Sequence, residues 1–395
     1  MNEYLIKSSL VLNGKELVPL HNGAILVKNG KICAISTLQD VEHLCSPSCN
    51  VIDLGDMTIM PGMIESHNHL ALDARIPGHL EMMDQSPVCL TSIAVNALRD
   101  DLMSGVTSAR CMGDRHYIDI ELRKEMKAGR VIGPNLYTCG IGMRGLHGHG
   151  FVGVAHCGVE EFRRTSRENM LRGCDHLKLY ITAGAPPMPG KIAPYYPSYE
   201  EMKTVVDEGA QLGLKVSSHC VGGPGLVIGV KAGVYAFDHL YCASDEELEL
   251  LIKNNRWGVW TGSVYLDPSR EANCPPSKVA NIHRCREQIY ERMEALVKSG
   301  VRYAMGTDGM HGMLYKEALY AEECGASANE CLKGLTVWGA ELIGWDDHTG
   351  SIVEGFDADI IAVNGDPYKD LNVLSDVKFV MKTGTVYKGN EFISN

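Results

Sequence analysis

Side chains i and i+2 of an extended strand point the same way, so two histidines one residue apart can turn both imidazoles toward a single ion. His67-Asn68-His69 is such a pair. Neutral imidazole is a common ligand for divalent metals, zinc among them. Alone the motif is weak, because two half-buried histidines bonded to backbone would read the same. Its surroundings add weight. The pair follows Ile59-Met60-Pro61-Gly62-Met63-Ile64. Further ligand-type side chains recur downstream: Lys178 within Leu177-Lys178-Leu179-Tyr180, His219 six residues after Gly213, His239 six after Gly233, and Asp308 eight after Gly300.

Lys178 is the unusual member. A charged lysine inside an apolar strand is costly to bury, and its ordinary explanation is a snorkelling chain at a rim. Next to two dications the neutral amine is favoured instead. It can then take up CO2 as a carbamate, whose two oxygens can bridge the ions. Asp308, in Gly306-Thr307-Asp308-Gly309, can ligate a metal and accept a proton from bound water, although a lone aspartate in such a turn is ordinarily a helix N-cap or turn residue.

These residues need elements that bring them together. From about residue 61 to 349 the pattern is a repeated helix, glycine, short apolar strand. Ser198 with Glu201 and Ser244 with Glu247 predict capping boxes. Gly213, Gly233 and Gly300 predict helix stops. Lys215–Ser218, Val234–Phe237, Trp257–Trp260 and Val301–Met305 read as the buried strands that follow. Helices alternating with buried strands imply a parallel sheet. Closure into a (β/α)8 TIM barrel is favoured over an open sheet, because the C-terminal strand ends of a barrel share one face. Residues 1–60 and 350–395 read as short strands instead. Asn13-Gly14, Asn22-Gly23 and Asn29-Gly30 predict hairpin turns in the first block, and Asn364-Gly365 and Gly384 separate the strands of the second. The two ends together predict one small β-sandwich.

Composition narrows the partners. The net charge is −12 without a basic stretch, which argues against nucleic acid and anionic membranes. Asn2, Glu3 and Lys7 interrupt any apolar leader, and no run approaches the ~20 apolar residues of a membrane span. The 14 cysteines follow no disulfide framework, so a reducing, cytoplasmic setting is expected. Cys45 and Cys49, near His43, form a lone C-x-x-x-C; a structural zinc there would want four clustered ligands, and the plainer reading is buried, reduced thiols.

The order Pro61-Gly62-x-Ile64-x-x-His67-x-His69, strand-end lysine, two strand-end histidines and Gly-Thr-Asp resembles the amidohydrolase superfamily. The resemblance extends over nearly the whole chain, the split sandwich included. It is greatest toward the branch holding prolidase-like and Xaa-Arg dipeptidases and imidazolonepropionase-related hydrolases, with His147-Gly148-His149-Gly150, His311-Gly312 and Glu317 as supporting stretches. The resemblance implies two divalent ions, zinc foremost. His67, His69 and Asp308 would hold the first, and His219 and His239 the second. Carboxylated Lys178 would bridge them, with a hydroxide between the ions as nucleophile and Asp308 moving the proton. It further implies hydrolysis of an amide or peptide-like C–N bond in a small molecule such as a dipeptide, an N-acyl amino acid or a cyclic amide. His149 matches a histidine that helps bind a substrate carboxylate, and His147 is its rival for that alignment. His311 and Tyr180 are further candidates for substrate contact. The loop from Ala183 to Tyr196 is expected to shape the pocket, and a homo-oligomer is expected.

Three positions depart from the pattern: Val221 where dipeptide-cleaving members carry a tyrosine, Cys111 where an aspartate is frequent, and Trp338 where an asparagine is common. Two alternatives stand beside the main reading. A one-metal deaminase of the same fold would lack the lysine and show His-x-x-Glu, which His219-Cys220-Val221-Gly222 does not. A non-catalytic scaffold would have lost ligands.

Overall fold

The computed structural model describes residues 3–79, 81–188 and 191–394. Eight parallel strands form a barrel: β1 Met63–Asn68, β2 Val106–Cys111, β3 Asn135–Tyr137, β4 His176–Tyr180, β5 Lys215–Cys220, β6 Ala236–His239, β7 Trp257–Trp260 and β8 Tyr303–Met305. Pairing runs from β1 through β3 and from β4 through β8, parallel throughout. Two seams close the ring. The Asp175 amide donates to the Thr138 carbonyl at 2.7 Å, joining β3 to β4, and the Asp308 amide donates to the His67 carbonyl at 2.9 Å, joining the exit of β8 to β1.

The helices between strands start and stop where side-chain chemistry dictates. Ser198 with Glu201 and Ser244 with Glu247 form reciprocal capping boxes. Gly233 and Gly300 end their helices at φ 102° and 83°, a left-handed conformation that side chains with a Cβ resist. The helix Pro276–Ser299 spans 24 residues and packs Ile282, Cys285, Ile289, Met293 and Leu296 inward at helical spacing.

Both chain ends join one nine-stranded sheet. The first strand, Glu3–Asn13, divides its partners: residues 4–7 pair with 50–53, whereas residues 10 and 11 pair with 58 and 59. The sheet forks there, and Ile6, Ile52, Ile59, Ile360 and Phe379 share one core between its leaves. Strand Met57–Pro61 pairs with Ile360–Asn364, so the two ends are sewn together beside the barrel entrance. Gly62 alone separates this sheet from β1. A Cβ at Gly62 would lie 2.2 Å from the Thr107 side chain, so only glycine lets the chain pass so close to β2.

One expected turn is absent. Asn29-Gly30 is a hairpin, but Asn22-Gly23 lies within the continuous strand Val18–Lys28. Asn22 takes φ 51°, and it and Ser9 opposite are skipped together by the pairing, so the local turn propensity is spent on a kink that leaves the register unchanged.

Candidate active site

β1 delivers His67 and His69 to one side of the barrel mouth, and the loop after β8 delivers Asp308. His67 Nδ1 donates to Asp238 Oδ2 at 3.0 Å, and His69 Nδ1 donates to the Gly113 carbonyl at 2.6 Å. Both rings are thereby fixed with Nε2 facing Asp308 Oδ1, at 3.5 and 3.6 Å. Two zinc–ligand bonds near 2.1 Å at a tetrahedral angle span about 3.4 Å, so these separations fit three donors around a shared ion. Among the described residues, His67, His69 and Asp308 form one of two groups with ligand atoms clustered closely enough to hold a metal.

The other histidines lie alongside. His239 sits 4.7 Å from His67 and 4.4 Å from His219, between ring centroids. Its Nδ1 meets Thr261 Oγ1 at 2.8 Å, while Nε2 is buried with no hydrogen-bond partner among the described residues. A buried orphan nitrogen is costly, and a cation is a natural partner for it. His219 Nε2 donates to the Ala183 carbonyl at 3.0 Å, leaving Nδ1 as the lone-pair nitrogen. Burial pushes His69 down to about 3 and holds His219 and His239 well below the usual imidazole value, so these rings are neutral and able to ligate. Burial pushes the Asp308 carboxyl upward, but the hydrogen bond from His67 leads the interactions that outweigh it and hold the group well below the usual carboxylate range.

Lys178 is fully buried, with Nζ 3.4 Å from Asp238 Oδ2. Burial lowers its pKa, against the pull of Asp238. Asp238 is the residue that sequence reasoning missed. One oxygen faces His67 and Lys178, and the other accepts from Arg110 Nη2 at 2.8 Å. Arg110 in turn holds the Ser66 carbonyl at 2.6 Å and Ser217 Oγ at 3.0 Å. Neighbours on a strand should face opposite sides, yet Asp238 and His239 both face the centre. The cause is local: His239 and Leu240 take φ of 83° and 56°, which breaks the alternation at the strand end. Asp308, at φ 52°, is likewise left-handed. Such backbone costs of order 1–3 kcal/mol per residue and clusters at functional sites.

His311 does not face the cleft. Its Nδ1 lies 2.9 Å from Asp101 Oδ2 and its Nε2 lies 3.2 Å from the Leu72 carbonyl, so both nitrogens are engaged behind the site. Asp101 also accepts from Asn68 Nδ2 at 2.9 Å and from the Gly312 amide at 2.8 Å. The His311–Asp101 pair thus ties the Asp308 loop to the His-x-His strand. Burial alone would lower the His311 pKa, but Asp101 outweighs it and raises it to about 9. A raised folded-state value gives a contribution that is complete below the unfolded pKa of about 6.5 and is lost as pH rises through about 9. Urea midpoints should therefore fall for the wild type between pH 7 and 10, by the equivalent of roughly 2–3 kcal/mol, and His311→Asn should flatten that slope. Parallel slopes would remove the ion pair from the account.

Above these histidines and Asp308 lies a cleft of about 640 Å3, its open mouth included. His149 lines it, with its ring 4.7 Å from His219. His147 does not: it is exposed and meets Tyr196 edge-on at 5.2 Å. Tyr180 lines the cleft and lies parallel to His69 at 6.4 Å. From the loop Ala183–Tyr196, Gly184 reaches the cleft; Tyr195 and Tyr196 do not line it, and residues 189–190 lie outside the described set. Val221 is buried in the core, and the cleft draws its tyrosines from Tyr180, Tyr241 and Tyr265.

Two cations that the sequence did not single out also line the cleft, Arg270 and Lys278. Arg270 Nη1 donates to the Val264 carbonyl at 2.7 Å, and its Nε is buried without a partner. Lys278 makes no ion pair among the described residues, and its Nζ lies 5.8 Å from the centre of the Tyr265 ring. The one carboxylate among the cleft's described lining residues is Asp308.

A sequence profile of the Amidohydrolase family matches residues 58–389. The chain belongs to that family. The strand ends that carry His67, His69, Lys178, His219 and His239 fall inside the matched span, and the terminal sheet falls inside or beside it. Among curated amidohydrolase relatives, ochratoxinase of Aspergillus niger is 26% identical across 94% of this chain and 84% of its own length. Imidazolonepropionase of Clostridium tetani is 23% identical across 93% and 91%. Among solved structures, a Xaa-Pro dipeptidase with methionine bound in its active site superposes with a TM-score of 0.86 at 26% identity, covering 98% of this chain and all of that one. The family and these relatives mark the chain as a hydrolase on the TIM-barrel fold. No helix among the described residues is long and apolar enough to cross a membrane.

Proposed function

We propose that this amidohydrolase is a two-metal enzyme that cleaves the amide C–N bond of small molecules bearing a free carboxylate, such as N-acyl amino acids or dipeptides. The observation that carries the reading is the meeting of His67, His69, His219, His239, Lys178 and Asp308 at one barrel mouth, with His239 Nε2 buried and unpartnered. The first ion would be held by His67, His69 and Asp308, the second by His219 and His239. Zinc suits this nitrogen-rich donor set. Lys178, carboxylated when its neutral amine adds to CO2 with formation of an N–C bond and loss of one proton, would help to hold both. Bound there, the ions supply a water of lowered pKa and a Lewis acid for the scissile carbonyl.

The protein's own groups do the rest. Asp308 is ionised and within reach of the centre, so it accepts the proton of the attacking water and returns it to the leaving nitrogen. Lys278, with no internal counter-ion, and Arg270, with an unused Nε, offer charge to a substrate carboxylate. Burial pushes His149 down to about 4, so it meets that carboxylate as a neutral N–H donor. Tyr180, Tyr265 and Phe151 supply apolar walls.

Steady-state kinetics of a metal-loaded preparation against N-acyl amino acids, dipeptides and cyclic amides tests the reading. Lys278→Met should raise KM for carboxylate-bearing substrates roughly 10- to 100-fold, the scale of one charge-assisted hydrogen bond, with kcat nearly unchanged. His149→Ala should act in the same direction. Equal effects on a substrate whose carboxylate is capped as an amide would separate these residues from carboxylate binding.

A further inference from the structure

The Cys45–Cys49 pair takes no part in the barrel chemistry. It lies in the turn that leads into strand Asn50–Asp53. The Cys49 amide donates to the Ser46 carbonyl at 3.0 Å, closing a turn through Pro47 that folds the two thiols toward each other. Glu3, on the first strand, completes the group. Its Oε1 accepts from the Ser46 amide at 2.8 Å and lies 3.3 Å from Lys28 Nζ. One ligand atom from each of Glu3, Cys45 and Cys49 lies within 4.8 Å of the other two. His43, the neighbour that the sequence offers as a further ligand, turns Nδ1 toward the Gln39 carbonyl at 3.4 Å instead.

We propose that Cys45, Cys49 and Glu3 form a second metal site, separate from the barrel centre, that takes a thiophilic dication of the zinc class with its fourth position open to solvent. Three features favour it. Two sulfur donors select zinc or cadmium over magnesium or calcium. Charge closes: two thiolates and a carboxylate carry three negative charges, which one dication and the adjacent Lys28 ammonium cancel. The floor is apolar, because both cysteines pack on the cluster of Leu5, Ala24, Leu26, Ala34 and Val41, which keeps water from one side. Binding releases two thiol protons as two metal–sulfur bonds form. It also clamps the first strand to the turn that feeds its parallel partner, Asn50–Asp53. The site would therefore brace the terminal sheet and leave turnover alone.

The barrel centre holds only nitrogen and oxygen donors, so a sulfur-to-metal charge-transfer band reports on cysteine alone. The whole chain, reduced and given only the two equivalents of zinc that the barrel centre takes, is titrated with cadmium while the near-ultraviolet absorbance and the melting temperature are followed. One equivalent should produce the band and raise the melting temperature. Cys45→Ser and Cys49→Ser should lose both effects while keeping the wild-type melting temperature without cadmium and the wild-type hydrolytic rate. Glu3→Gln should weaken binding at least tenfold. A band that persists in both serine variants, no band in the wild type, or recovery of the pair as a Cys45–Cys49 disulfide that does not bind cadmium in freshly reduced protein would each overturn the proposal.

Discussion

Lys178→Ala should lower kcat roughly 10³-fold or more, the upper range for removing one preorganised charge-stabilising group, and should lower the bound metal as well. The lysine is fully buried, and the charged groups that act on it are Asp238, Arg110 and Asp308. Asp238 and Arg110 are not ligands in the proposed centre, and Asp308 is already committed to the first ion there, so none of them can take the place of the carbamate. Kinetics and metal analysis on the same preparation decide the point. Full activity with two ions retained would make Lys178 a structural residue.

Asp238 carries the second large effect, because three demands meet on one carboxylate. It orients His67, faces Lys178 and neutralises Arg110. Burial pushes its pKa up, but Arg110, Lys178 and His67 outweigh it and hold it well below the usual carboxylate range. Asp238→Ala strands the Arg110 guanidinium, which is 1% exposed. Breaking a buried pair from one side costs about 3–5 kcal/mol, a large share of a domain's total of about 5–15 kcal/mol. Loss of folding alone would not reveal a role toward the metal. Arg110→Met/Asp238→Asn separates the two, since it removes both charges and keeps an acceptor for His67 Nδ1. Urea midpoints of the double variant should recover most of the stability lost by Asp238→Ala. Its metal affinity, measured by competition with a chromophoric chelator, should remain roughly 10- to 100-fold weak, the usual effect of altering the group behind a ligating histidine. Wild-type affinity in the double variant would reduce Asp238 to a structural counter-ion.

The sequence carries the barrel and the candidate ligands at its strand ends because both are periodic. A strand-end histidine stands six residues beyond each of Gly213 and Gly233, and capping serines mark where helices begin. The rest depends on contacts that have no period. Asp238 is hidden by the alternation rule, which predicts that it faces away from His239; the left-handed backbone at His239 reverses that. Lys278 stands in the first turn of a long helix, where a lysine reads as solvated, and only the folded chain turns it into the cleft. His147 and His149 are equivalent by spacing, but loop geometry sends one outward and the other beside His219. His311 sits in a glycine-rich loop near Asp308, and no local pattern announces its partner Asp101, which lies 210 positions away in sequence. Asn22-Gly23 shows the converse: a strong turn signal is absorbed as a local kink in one strand once strands on both sides supply the pairing.

The most direct test is anomalous diffraction at the zinc edge from crystals grown with zinc and bicarbonate. Two peaks should lie at the barrel mouth, one among His67, His69 and Asp308 and one beside His219 and His239, with density extending from Lys178 Nζ between them. A barrel mouth without peaks in zinc-saturated crystals, or an unmodified Lys178 still paired with Asp238 beneath a single ion, would contradict the two-metal centre.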